Sequence, residues 1–443
     1  MKKLRLLVLA LLCSAFSSAY SFYVGGIYYK VTSSPNSTVE VAPYGSISGN
    51  YSGAVSIPEY VTYNGITYSV TSVGEKAFKG CSKLTSVTIP KSVVSIGNDA
   101  FNGCSKLKEV YISDLSAWCK IDFSETDSNP LHKKNAYLFL NGEKIKDLVI
   151  PEDVTSIGKF AFYGCFGLSS VTIPNSVTSI GNNAFSNCSG LTSVSLGDGV
   201  RYIDSEAFYF CSSLTSLEIP NSVININSKA FYGCSGLTSV TIGDGVMIMG
   251  AEAFYGLFKL EEVHVSDISA WCKIVFADYM ANPLTYGDLY IDGEETKDLV
   301  IPDGVVSIGA YAFFNSYELT TVTIPSSVVS LGSGAFYGCE NLQRIDVAAV
   351  NPPSVSDDTF DNRYAYICLY VPSESLSAYE NHSVWGKSTN IYSHNTTEIE
   401  NVYVEDANAY GTAVYNLQGM KMQNADNLPR GIYINKGKKY WVK

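Results

Sequence analysis

The sequence predicts a β-rich solenoid, a stack of 23-residue coils that share a parallel sheet. Three observations predict it. Alanine–phenylalanine pairs ending at Phe78, Phe101, Phe162, Phe185, Phe208, Phe231, Phe254, Phe313 and Phe336 recur every 23 residues, with two wider gaps of 61 and 59. A fixed period of this size marks a chain in which each repeat is one coil that cannot bury its own apolar face. Within a period, Ser170-Val171-Thr172-Ile173 alternates as a strand with one buried face does. Pro174 then ends that strand by removing a ladder donor. A chain built this way presents a long surface, which favours binding over catalysis.

The elements follow in chain order. Residues 1–21 have the layout of a secretory signal: Lys2, Lys3 and Arg5, an apolar run, then small residues, with Ala19 and Ser21 at the minus 3 and minus 1 positions. Cleavage after Ala19 fits as well. Leu12 before Cys13 is bulky where a lipid-modified cysteine wants Gly or Ala. No later stretch reaches the roughly 18 apolar residues of a membrane span. Residues 22–70 lack the Phe-Cys phrase and carry hairpin signals at Gly25-Gly26 and Asn64-Gly65, so they read as a β-rich N-terminal cap.

The solenoid spans 71–349. In the copy from Leu168 to Phe185, the inward set is Leu168, Val171, Ile173, Val177, Ile180, Ala184 and Phe185, followed by Cys188. A second short strand is expected at VTSIG, and a single helical or 3₁₀ turn at NNAFSNC. Eight buried apolar side chains supply about 12–24 kcal/mol gross. Ordering the backbone of one coil costs about 1–2 kcal/mol per residue, so a lone coil barely breaks even and must stack. The last apolar strand residue recurs at Ile57, Ile89, Ile112, Ile150, Ile173, Leu196, Ile219, Ile242, Val265, Ile301, Ile324, Val347 and Val371, giving thirteen rungs.

Two excursions, 113–150 and 266–301, interrupt the period. SDLSAWCKIDF and SDISAWCKIVF begin them, both continue to NPL, and both end in a strand–turn pair with NG or DG at the turn. They lie about 152 residues apart, which points to duplication of several coils. Each reads as a helical turn carrying Trp118 or Trp271 plus a hairpin packed on the solenoid's side. Residues 350–395 read as a degenerate closing repeat with Pro352, Pro353 and Trp385. Residues 396–443 form a separate small module of alternating strands and Gly turns.

Composition narrows the function classes. A net charge of −12 argues against nucleic acid and against an anionic membrane surface. Cys81, Cys104, Cys165, Cys188, Cys211, Cys234 and Cys339 share one repeat slot, which Leu257 and Ser316 fill elsewhere. Small buried filler therefore accounts for them better than a metal or disulfide ladder. Cys119 and Cys272 follow the excursion tryptophans and read as packing residues. His132, His264, His382 and His394 have no zinc-motif spacing, and no GxSxG elbow occurs. Asp198 and Asp244 sit in GDG turns. The expectation is a non-enzyme without cofactor or metal. Two surface features remain: the outward Ser/Thr ladder (Ser86/Thr88, Ser170/Thr172, Ser193/Ser195, Ser216/Glu218, Ser239/Thr241, Thr321/Thr323) and a tyrosine row one residue after the repeat Phe. That row (Tyr163, Tyr209, Tyr232, Tyr255 and Tyr337) is the candidate ligand-binding edge.

The phrase AFxGCxxLTSVTIPxSVTSIG, over roughly 55–375, resembles the BspA-like leucine-rich repeat family of bacterial surface proteins. The resemblance implies a leucine-rich-repeat-like right-handed coil and an adhesin-like role toward host proteins, matrix components or other bacteria. Val414–Gly419, Leu428–Ile434 and Lys438–Lys443 are similar to the type IX sorting tails of secreted Bacteroidetes proteins, which implies export and attachment at the outer cell surface. The expected partners are extracellular proteins or glycoproteins, glycans, and the export machinery through the tail. Two alternatives stand beside this reading: a structural or self-associating surface protein, and a carbohydrate-binding accessory protein.

Overall fold

Each coil of the computed structural model adds one rung to each of two parallel ladders, one long and one short. The structure describes residues 20–44, 49–132 and 136–394, and the strands Tyr415–Asn416, Gly431–Asn435 and Lys438–Val442. These last three strands form an antiparallel sheet. The rest of the expected C-terminal module, and the leader up to Ala19, lie outside the described residues. The chain divides into two compact units, Met1–Leu217 with Ala230–Gly236, and Glu218–Lys229 with Leu237–Lys443.

The first unit opens on strands β1 (Ser21–Val24), β2 (Ile27–Ser33), β3 (Thr38–Ala42), β4 (Ser52–Ser56), β5 (Tyr60–Tyr63), β6 (Ile66–Val73) and β7 (Lys83–Ile89). Both hairpin signals act as read: Val24 pairs with Ile27, and Tyr63 with Ile66. Asn64 and Gly65 sit at φ 51° and 79°, the left-handed pair such a tight turn requires. Ser21 of β1, the expected last leader residue, pairs with Lys30 of β2, and the Tyr20 carbonyl accepts from Val31 N at 3.1 Å.

Beyond this start, Asp147–Val149, Ser170–Ile173 and Ser193–Leu196 pair in parallel along the long ladder. Ser156–Ile157, Ser179–Ile180 and Tyr202–Ile203 make the short one, at the expected second strand. The segment between them is not the helical turn expected. Left-handed residues break it at Phe160, Asn183 and Glu206 (φ 60°, 58° and 60°) and again at Gly164 and Asn187 (69° and 61°). The alternation splits the backbone donors. Phe160, Phe162 and Gly164 N–H reach the next coil at 2.8–2.9 Å, while Tyr163 and Cys165 N–H close turns within their own coil. A helix would keep all of these bonds inside one coil. This segment is therefore a third surface for stacking.

The core is a ladder of identical side chains. Phe162, Phe185, Phe208 and Phe231 stack at 5.1, 5.2 and 5.3 Å with planes within 7°. The cysteine slot serves this ladder: Cys188, Cys211 and Cys234 Sγ each donate at 3.2 Å to the carbonyl of Phe162, Phe185 and Phe208. The ten described cysteines are all free, and nine are buried. Burial pushes the thiols of Cys119 and Cys165 up to about 12. Thiol-reactive reagent at pH 8 is therefore expected to modify Cys368 and leave the nine buried thiols until denaturant is added; rapid native reaction of several thiols would contradict this packing. The raised values also fix a pH direction. Above pH 9 the unfolded thiols ionise while the folded ones stay protonated, so stability falls as pH rises there.

The GDG turns are made by close approach of neighbouring coils. A Cβ on Gly199 would lie 1.8 Å from the Asn175 carbonyl oxygen, and one on Gly245 would lie 2.0 Å from that of Asn221. Asn175 and Asn221 Oδ1 accept from Asp198 and Asp244 N at 2.8 and 3.0 Å.

In the second unit the long ladder runs through Ser239–Ile242, Glu262–Val265 and Asp288–Ile291. It resumes through Asp298–Val300, Thr321–Ile324, Arg344–Val347, Cys368–Pro372 and Asn390–His394. Phe313, Phe336 and Phe360 stack at 5.3 and 5.9 Å. Trp385 is fully buried, and its Nε1 donates to the Pro353 carbonyl at 2.8 Å.

The excursions do carry the helical turns, at Leu115–Cys119 and Ile268–Trp271, and the hairpins. They do not pack on the solenoid's side. Tyr137–Leu140 pairs in parallel with Glu109–Ile112, and Asp288–Ile291 with Glu262–Val265, so each excursion is a longer coil that takes its own rung. The following coil then lacks an alanine–phenylalanine neighbour to donate to it. Side chains substitute. Trp118 Nε1 donates to the Ala161 carbonyl at 2.9 Å, and Asn129 Nδ2 to the Phe160 and Ala161 carbonyls at 2.6 and 3.2 Å. In the second copy Trp271 Nε1 donates to Ala312 at 2.7 Å, and Asn282 Nδ2 to Tyr311 and Ala312 at 2.7 and 3.1 Å.

Candidate binding surface

Strand alternation fixes what the long ladder shows to solvent, because every second side chain points away from the Phe core. Ser170, Thr172, Ser193 and Ser195 in the first unit, and Ser239, Thr241, Thr321 and Thr323 in the second, are exposed or half-exposed as expected. Ser86 differs: it is buried, at 8% exposure, between Ala54 and Glu109 on the neighbouring strands. Carboxylates cross-link the ladder at equivalent places in the duplicated blocks. Ser170 Oγ donates to Asp147 at 2.6 Å, and Thr321 Oγ1 to Asp298 at 2.5 Å.

Aromatic–acid clusters interrupt this polar face in both units. In the first unit Tyr111 stacks on Phe139 at 4.8 Å, and its hydroxyl donates to Glu109 at 3.0 Å. That contact with Glu109 pushes the tyrosine hydroxyl above its ordinary range. At the equivalent rung of the second unit, His264 lies 5.2 Å from Tyr290, and its Nε2 is 3.0 Å from Glu262. Farther along, the Arg344 guanidinium donates two hydrogen bonds to the Asp346 carboxylate (2.7 and 2.8 Å) and lies 4.0 Å over Tyr370, which neighbours Tyr392 at 5.3 Å. Only the Ser/Thr part of this face was read from sequence. The signal for the rest was available, since these residues occupy the same alternate strand positions.

The tyrosine row is divided among several clusters. Tyr209 and Tyr232 stack at 5.0 Å, with Phe210 edge-on to both. Tyr163 is half-buried, and burial raises its hydroxyl pKa. In the second unit Tyr255 meets Tyr286 edge-on at 6.4 Å. Tyr337 joins a different stack, 5.5 Å from Phe314, which is 4.9 Å from Tyr279. Phe314 fills the row's own slot after the repeat Phe313, as phenylalanine rather than tyrosine, so a search for tyrosine passes over it, and Tyr279 lies in the second excursion.

The other chemical candidates are tied into structure. His132 Nδ1 sits 2.6 Å from the Asn129 carbonyl, and His382 Nδ1 accepts from Val384 and Trp385 N. Among the described residues no group of three His, Cys, Asp or Glu side chains could hold a metal ion. Among them, too, no helix is long and apolar enough to cross a membrane.

The chain is similar to several solved structures. A leucine-rich repeat protein from Bacteroides ovatus is 23% identical over 81% of this chain and 80% of its own, with a TM-score of 0.43. A leucine-rich cell surface protein from Faecalibacterium prausnitzii is 24% identical over 86% and 97%, with a TM-score of 0.40. The pneumococcal vaccine antigen PcpA is 20% identical over 85% and 98%, with a TM-score of 0.41. No curated protein matches the chain. The BspA type leucine-rich repeat region matches in six copies, over residues 59–127, 132–276 and 290–406. That match covers well over half of the sequence and follows the coil phrase described above, so the chain belongs to the BspA-type leucine-rich repeat family.

Proposed function

We propose that this chain is an exported, surface-attached repeat protein that binds extracellular proteins of a host or of other microbes, without catalysis. The observation that carries the reading is the outward face of the long ladder. It is a broad surface of short hydroxyl side chains, interrupted by aromatic–acid clusters such as Glu109, Tyr111 and Phe139. Affinity at protein interfaces concentrates in a few aromatic anchors within near-neutral surroundings, and this face has that composition. The hydroxyls and carboxylates are spent on one another, as in Ser170–Asp147, rather than arranged around a nucleophile. Family membership supports the surface role, and the similarity of residues 414–443 to sorting tails supports attachment.

The test is binding of the exported protein to arrays of matrix proteins, glycoproteins and glycans, where saturable binding to a protein is the expected result. Deleting residues 396–443 tests attachment separately. Release of the protein from the cell surface into the medium is expected, and unchanged surface display would contradict a sorting role.

A further inference from the structure

The two ladders of the first unit end out of step. On the short-ladder side, β6 is followed outward by β3, β2 and β1. On the long-ladder side the sheet stops at β4, which among the described residues pairs only with β7. A step three strands deep, about 14 Å at about 4.8 Å per strand, is left beside β4. It opens as a cleft of about 600 Å³ walled by β4, the Gly25-Gly26 turn, Tyr23 and Tyr44.

The walls define the occupant. Ile57 N donates to the Thr88 carbonyl of β7 at 3.1 Å, so alternation directs the N–H and C=O groups of Ala54 and Ser56 into the cleft. Their side chains are small enough for another strand to seat at pairing distance. Natural edge strands are blunted with lysine, proline or a bulge. Among the described residues a bulge at Gly53 (φ 66°) is the one such device, and β4 carries neither Lys nor Pro. The opposite wall is preorganised. Tyr44 packs edge-on against Tyr23, Tyr28 and Tyr51, and Tyr51 is fixed by donating to Ala42 O at 2.9 Å and accepting from Tyr28 N at 3.0 Å. None of the lining residues is charged, in a chain of net charge −12.

We infer that this notch is an acceptor site for an extended, uncharged polypeptide segment of a partner protein, which adds as a strand to the open edge of β4. Edge backbone groups recognise backbone, which selects a polypeptide over a sugar, and the absence of charge selects a segment with small or β-branched side chains. The inference rests on the protein-binding reading above and gives it a site distinct from the outward ladder face.

The probe is an acetylated, amidated, labelled hexapeptide with the sequence Leu237–Ile242, LTSVTI, a strand that this fold already stacks in parallel. Titrated against the full chain, it is expected to bind saturably at one site. N-methylation of its alternate amides, and separately Ser56→Pro, should each weaken binding about tenfold or more, while Ser56→Ala stays within about twofold. Proline at this position removes only a donor that the ladder does not use, and the N-methylated peptide keeps the test decisive should that variant misfold. No binding at millimolar peptide, or binding indifferent to N-methylation, overturns the proposal. Two further results also overturn it by naming another occupant: dimerisation that the peptide competes away, and peptide binding that appears only once residues 396–443 are deleted. The array experiment fails independently. A protein hit unaffected by Ser56→Pro leaves the function standing without this site, and peptide binding without any array hit does the reverse.

Discussion

Phe185→Ala is expected to destabilise the first unit by about 3–5 kcal/mol, the cost of a large-to-small change in a close-packed core. Phe185 is fully buried and stacked on both sides, at 5.1 Å from Phe162 and 5.2 Å from Phe208. The loss therefore falls on two coil interfaces at once, and in a solenoid those interfaces supply what a single coil lacks. Phe185→Leu, which keeps most of the volume, should recover much of the loss. Denaturant midpoints of the three proteins check this, and an alanine variant as stable as the parent would rule out the Phe ladder as the main support.

Asn129→Ala is expected to cost about 1–3 kcal/mol, although it removes a polar side chain. The Asn129 amide donates to the Phe160 and Ala161 carbonyls, and its oxygen accepts from Leu131 N at 2.8 Å. Trp118 still serves Ala161 and Tyr163 N–H still serves Phe160 in the variant, so the Leu131 N–H is the group left stranded in the interior. Asn282 holds the same three bonds in the second unit, and Asn282→Ala should behave alike. Hydrogen exchange separates this account from a general loss of packing: protection should fall first around Phe160–Ala161. A loss spread evenly over the unit would contradict the account.

The regular coil was legible in the sequence because its determinants are local and repeated. The strand alternation, the proline stop and the two turn dipeptides each act through their own residues. Two features escaped. The turn after the short strand reads as helical from its residue types, but Phe160, Asn183 and Glu206 take left-handed backbone because their neighbours' N–H groups are needed by the next coil. The roles of Asn129 and Asn282 depend on which carbonyls the following coil leaves open, a relation between segments about 30 residues apart. The NPL phrase shared by both excursions was the available sign. The candidate face was half legible: its hydroxyl ladder follows from alternation, whereas Tyr111 meets Phe139 only because the excursion takes a rung of its own.

The most direct test of the central claim is saturation binding of the exported protein to arrayed extracellular-matrix proteins and glycans, with Tyr111→Ala and Tyr290→Ala variants alongside. The account predicts saturable binding to a protein ligand that one of these variants weakens about tenfold while its melting curve stays that of the parent. Concentration-dependent assembly with no saturable ligand, or turnover of an arrayed polysaccharide or protein, would contradict it.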